Sequence, residues 1–254
     1  MTDQLAIVAT GLLVLSIVSG MLGLGVAFAA VPFLGFFMTD LVHQIQPLSL
    51  ILNGVTAIFS VLGFSRSGLV AWREALLLAV VTTVVAPLGA WLAEFTAQSW
   101  LWVIYFLAVA FLTWRLFTPD KARDDSAATP RDMPNLKLAM LLAIPISVLA
   151  GLLGVGPGFL LMPTLILVGF DAKRAAAINA VAVTPPSFSA LIPHLATATL
   201  DPHVALVLLV VGAVGSFFGA RLTSRFVSAP RLKQIFGVLI VVMTAYKLLQ
   251  ILSH

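Results

Sequence analysis

The chain has 254 residues, 61% of them hydrophobic and only 9% charged, with a formal net charge of +4. An ordinary soluble domain carries roughly 25% charged residues, so this composition, with a mean hydropathy of +1.10, excludes a soluble globular protein. It predicts an all-α integral membrane protein, because a bilayer-crossing helix needs about 20 consecutive apolar residues. Barrel strands alternate apolar and polar positions, and these segments are continuously apolar, which excludes a β-barrel. With no cysteine, there are no disulfides, thiolate metal sites or cysteine nucleophiles. The basic residues fall in loops between apolar segments, where they set topology, so the high isoelectric point calls for no nucleic acid partner.

In chain order, the first apolar segment runs over residues 5–38. Ala27-Phe28-Ala29 has the small-x-small form of a signal cleavage site. Asp3 with no Lys or Arg before it, and an apolar run continuing to Met38, oppose cleavage. Further apolar segments follow at 45–64, 72–94 and 99–117, then at 137–170, 174–196, 203–225 and 232–252. Residues 118–136, rich in Asp, Lys, Arg, Ala and Pro, read as an exposed linker between two membrane units, 1–117 and 137–254.

The two units are copies of one another. Gly20, Gly23, Gly25, Phe28 and Pro32 fall on Gly151, Gly154, Gly156, Phe159 and Pro163 at one constant offset. A 34-residue helix would be about 50 Å long against a hydrocarbon core of roughly 30 Å, so the first segment of each unit must break. Glycine, a weak helix former that permits tight turns, marks the place. Each segment therefore reads as a hairpin, either two short crossings or a re-entrant loop, and the whole as eight to ten hydrophobic segments. Pro185 and Pro186 predict a second break within 174–196.

Loop charges give the orientation. Arg66, Arg73, the linker, Lys173, Arg174, Arg221, Arg225, Arg231 and Lys233 mark the cytoplasmic side; the loops at Asp40, Glu94 and Asp201 hold no Lys or Arg. Each basic loop of one unit matches a non-basic loop of the other, which predicts two inverted-topology repeats, each a hairpin plus three transmembrane helices. The linker is then cytoplasmic and both termini outside; Lys247, near the end of the last helix, runs against this.

Inverted repeats with discontinuous helices are the architecture of secondary transporters, with a binding site near the midplane. A lone glycine pair is ordinarily a helix-packing device, but a repeated cluster with a matched proline points to a broken helix and a site. Its backbone N–H groups and positive dipole end favour an anion, with Gly23, Gly25, Gly154, Gly156 and Gly158 as candidate donors. Asn53 and Asn179 form a second matched pair, suited either to bonding the broken backbone or to touching substrate. Thr56, Thr184 and Ser187 add hydroxyls that suit a small oxyanion. His194 is a candidate for a coupling proton, against an ordinary interfacial histidine. The four histidines have no metal-ligand spacing, so no metal or cofactor is expected, and an intramembrane enzyme using His194 and a serine lacks the ionisable groups for acid–base chemistry. The oligomeric state is left open.

The paired GxLGxG…P motifs, the asparagine after each, and the GARL at Gly219–Leu222 resemble the TauE/SafE sulfite exporter family of anion permeases across nearly the whole chain. The resemblance implies a bacterial inner-membrane protein exporting sulfite, a sulfonate such as sulfoacetate or isethionate, or a related organic anion. Proton-coupled uptake of the same anions and a passive channel stand as alternatives. Val26-Ala27 departs from Pro157-Gly158 of the second copy, which implies unequal tips.

Overall fold

The computed structural model describes residues 2–97 and 134–232, with 99–101, 103, 104, 107, 234, 235, 237, 238 and 242. The expected linker and the expected helices at 99–117 and 232–252 lie largely outside the described residues. Those described form helices and no strands. In the first unit α1 (Thr2–Leu22) ends at the first glycine cluster and α2 (Ala27–Leu34) leaves it. A π-helical turn (Leu41–Ile45) leads into α3 (Gln46–Phe64), and α4 (Trp72–Ala93) follows. The second unit repeats the order with α5 (Leu136–Leu153), α6 (Gly158–Leu167), α7 (Ala172–Leu191) with a 3-10 extension (Ile192–Ala196), and α8 (Pro202–Arg225).

Among the described residues, six helices are long and apolar enough to cross a membrane. α2 and α6 are not. Their eight and ten residues reach about 12 and 15 Å, half of a hydrocarbon core roughly 30 Å thick. Neither short arm is long enough to cross by itself. In the first hairpin, α2 returns along α1, so closely that a Cβ on Gly11 would overlap the Phe33 ring.

Polarity is distributed as lipid requires. Leu76, Val80, Val84 and Leu88 stand exposed along one side of α4, and Leu206, Val210, Val214 and Phe218 along one side of α8. Ser16, Ser19, Asn53, Thr56, Ser60 and Asn179 are buried. Lipid is as apolar as leucine, so close backbone approach has to hold the helices together. A Cβ on Gly20 of α1 would strike the Ser216 carbonyl of α8, and one on Gly219 the Ile17 carbonyl. The counterparts repeat this: Gly151 of α5 lies against the Ala86 carbonyl of α4, and Gly89 against that of Val148. Exchanging the units therefore reproduces the contact.

Two registers bear on topology. Along α3 and α8 the contacts climb together, from Thr56 with Gly212 to Ser60 with Ser216 and Gly63 with Ala220. Along α4 and α7 they also climb together, from Thr82 with Ala182 to Thr83 with Ser189. Both pairs run parallel.

The break expected at Pro185–Pro186 does not occur; α7 runs unbroken to Leu191. Proline removes the N–H that would bond the carbonyl four residues back, so Pro186 frees Ala182 and Pro87 of α4 frees Thr83. The neighbouring helix supplies the missing donor in each case. Thr82 Oγ1 donates to the Ala182 carbonyl at 2.9 Å, and Ser189 Oγ to the Thr83 carbonyl at 2.8 Å. This reciprocal rescue keeps both helices straight enough to pack. Thr82→Val, nearly isosteric, is expected to lower stability in detergent by about 1 kcal/mol, read as a fall in the melting midpoint.

Candidate functional site at the two glycine tips

Both tips are built alike. Gly23 and Gly154 take φ of 63° and 65°, and Gly25 and Gly156 both 69°, left-handed values that glycine adopts without steric cost. The Gly23 N–H bonds the Gly20 carbonyl and the Leu24 N–H that of Ser19; Gly154 and Val155 bond Gly151 and Ala150 in the same way. This is a Schellman-like end to α1 and to α5. The expectation that Gly23 and Gly154 offer free N–H donors is therefore corrected. Their donors cap the carbonyl ends of the helices they terminate, and the open amino ends belong to α2 and α6, one turn further on.

The donors of α2 are met from α3. Asn53 Oδ1 accepts the Ala27 N–H at 2.9 Å, and Thr56 Oγ1 accepts the Val26 N–H at 3.1 Å. Asn53 Nδ2 donates across the unit boundary to Ser187 Oγ of α7 at 2.8 Å. Its amide lies between the tips: a Cβ on Gly25 would overlap Oδ1, and one on Gly156 would overlap Nδ2. Asn179 also joins both tips, its Nδ2 donating to the Gly23 carbonyl at 2.8 Å and the Gly158 carbonyl at 3.1 Å. Asn179 Oδ1 is buried with no hydrogen-bond partner. The Gly158 Cα packs on the Leu24 carbonyl, and Phe28 and Phe159 stack with centroids 4.9 Å apart.

Of the residues expected at the site, the structure thus brings together the five glycines, Asn53, Asn179, Thr56 and Ser187. It leaves out Thr184, half-buried and bonded to the Ala180 carbonyl of its own helix. His194 is also elsewhere, at the end of α7, wholly buried and with Nδ1 2.8 Å from Glu94 Oε1. Around the tips the polar lining is amide, hydroxyl and backbone only, and among the described residues no Asp, Glu, Lys or Arg is buried. The linked hydroxyls of Ser60 and Ser216, 2.7 Å apart, were not singled out as a pair, since nothing in the sequence joins residues so far apart.

A family model described as sulfite exporter TauE/SafE matches residues 7–247 of the chain. A protein of Xylella fastidiosa (strain 9a5c) described as a probable membrane transporter protein is 25% identical over 237 residues, spanning 89% of this chain and 88% of that relative. No solved structure matches.

Proposed function

The chain belongs to the TauE/SafE sulfite exporter family of membrane transporters, and on that premise we propose that it exports a small oxyanion. Sulfite, a sulfonate such as sulfoacetate or isethionate, and related organic anions form the substrate class. The observation that carries this reading is the convergence of two helix amino ends, those of α2 and α6, on buried neutral amides. Such ends carry roughly half a positive charge and N–H groups that a ligand can take over, which favour an anion without a buried cation to hold it too tightly. Asn53 Oδ1 and Thr56 Oγ1 occupy the positions where oxygens of an oxyanion would accept from Ala27 and Val26. On this reading they stand in for substrate in a closed conformation and swing aside when it binds.

Alternating access follows from inverted repeats. α3 and α4 are successive crossings and so run oppositely, while α3 runs parallel to α8, the counterpart of α4. Counterpart helices then point in opposite directions. With the basic loops inside, the linker faces the cytoplasm of a bacterial inner membrane and the termini face out. Outward movement of an anion is favoured by an inside-negative potential, by roughly 2.3 kcal/mol per charge per 100 mV, so no coupling ion is needed for export.

Proteoliposomes holding the purified protein test this with labelled sulfite, sulfoacetate, isethionate and formate. Voltage-driven flux of at least one is expected, and no flux of any under either a voltage or a pH gradient overturns the reading.

A further inference from the structure

The loops that lack Lys and Arg meet at one end of the molecule and hold a cluster of ionisable groups. Glu94 caps the end of α4, and His194 lies in the 3-10 turn after α7. The two come from opposite units and are 2.8 Å apart, with the imidazole wholly buried. Thr197 Oγ1 adds a contact to the same carboxylate oxygen. A second link between the units lies beside it, the Thr199 N–H donating to the His43 carbonyl at 2.8 Å. A cleft of about 500 Å³, lined by Thr39, Asp40, Val42, His43, Glu94 and Thr96, opens onto Glu94 from solvent.

We propose that His194 and Glu94 form a proton site that locks this face: a proton taken from the cleft turns their contact into an ion pair and holds the two units closed. The inference rests on the export reading for its direction, since this is the face from which the anion leaves. Glu94 touches the cleft and receives the proton from water; His194 Nδ1 takes it over. A neutral imidazole with its proton on Nε2 presents only a lone pair to the carboxylate and makes no hydrogen bond to it, whereas the imidazolium donates a charge-assisted one from Nδ1. Neither ring nitrogen has a hydrogen-bond partner, so Nδ1 gains or loses the second proton without breaking a bond to the protein while Nε2 keeps its own.

The other groups facing the pair are His43 and, behind it, Asp40, whose Oδ2 is 2.9 Å from His43 Nδ1. Burial works to raise the Asp40 pKa, but the His43 N–H, the His43 ring and the Val42 N–H outweigh it and hold the carboxyl below its ordinary range. Asp40 therefore stays ionised through the range in which histidine titrates. The loops of this face hold no Lys or Arg.

The lock is read without substrate by spin labels on Ala97→Cys and Ala196→Cys, in a chain that has no other cysteine. Between about pH 5 and about pH 8 the label distance is expected to lengthen, and to become insensitive to pH on adding Glu94→Gln or His194→Gln. In proteoliposomes with measurable efflux, acidifying the receiving side is expected to slow wild-type efflux about tenfold and the Glu94→Gln protein far less. A distance that does not change with pH, or a pH response that survives both substitutions and disappears in His43→Gln, overturns the proposal. Absence of efflux at every pH overturns the export reading instead, and leaves the distance measurement to judge the lock.

Discussion

Gly25→Ala and Gly156→Ala are each expected to cut anion flux at least tenfold, to the limit of detection in proteoliposomes, while the protein still inserts and purifies. Both positions carry φ of 69°, which costs an L-residue roughly 1–2 kcal/mol. The larger effect is steric. The added methyl at Gly25 overlaps Asn53 Oδ1 and that at Gly156 overlaps Asn53 Nδ2, so the amide is driven from between the tips. The Ala27 N–H and Ser187 then lose their partner together. Gly68 provides the control, for it takes φ of 68° in a loop where an added Cβ meets nothing within 4 Å. Gly68→Ala carries the same backbone strain and no collision, and is expected to transport normally with a stability loss of about 1 kcal/mol. If Gly156→Ala transports as Gly68→Ala does, close approach of the tips to Asn53 is not required.

The reciprocity of the packing gives this site its stiffness. Gly20 and Gly219 lock α1 to α8, Gly151 and Gly89 lock α5 to α4, and the tips hang from these two seams. The tips are joined to the long helices that lie between the seams through Asn53 and Asn179. A shift of one seam against the other therefore moves both amino ends at once. That is the geometry an alternating-access carrier needs, since a site opened toward one face has to close toward the other.

Much of this was legible in the residues because glycine and proline impose local rules. The paired glycine clusters placed both breaks, and the apolar periods placed α3, α4, α7 and α8 to within a few residues. What escaped were relations between distant residues. Pro185 and Pro186 read locally as a break, and only Thr82, on another helix, removes the reason for one. Gly23 and Gly154 read as donors to a ligand because a broken helix has one free amino end, but each glycine closes the preceding helix. His194 read either as a coupling-proton residue or as an interfacial one, and the carboxylate that meets it at the cleft lies a hundred positions earlier. Asn53 and Asn179 were recognisable as a pair, yet that each amide touches both tips needs the tips themselves to meet.

Asn53→Asp is expected to abolish flux in a protein that still inserts and purifies, and it separates the two roles that Asn53 combines. The substitution is isosteric, and the new carboxylate still accepts the Ala27 N–H. Ser187, which donates to the Val183 carbonyl, has only to turn its hydroxyl to face the new acceptor. What changes is charge, and burying it lowers stability until the carboxyl takes up a proton. A carboxylate about 4 Å from a bound anion repels it by about 4 kcal/mol at an effective dielectric of 20, on the order of a thousandfold in affinity. Asn53→Ala makes the opposite trade, adding no charge but leaving the buried Ala27 N–H unpaired, at about 1–3 kcal/mol. Asn179→Ala likewise strips the Gly23 and Gly158 carbonyls of their shared donor. Both alanine variants are expected to fold and to lose transport at every pH, with melting midpoints lowered. Wild-type flux in Asn53→Asp means the anion never comes near this amide, and the converging amino ends of α2 and α6 are then structural supports for a path that runs elsewhere. Flux lost in Asn53→Asp and recovered as the new carboxyl is protonated at low pH, with no such recovery in Asn53→Ala, leaves charge as the cause and an anion close to Asn53 as its explanation.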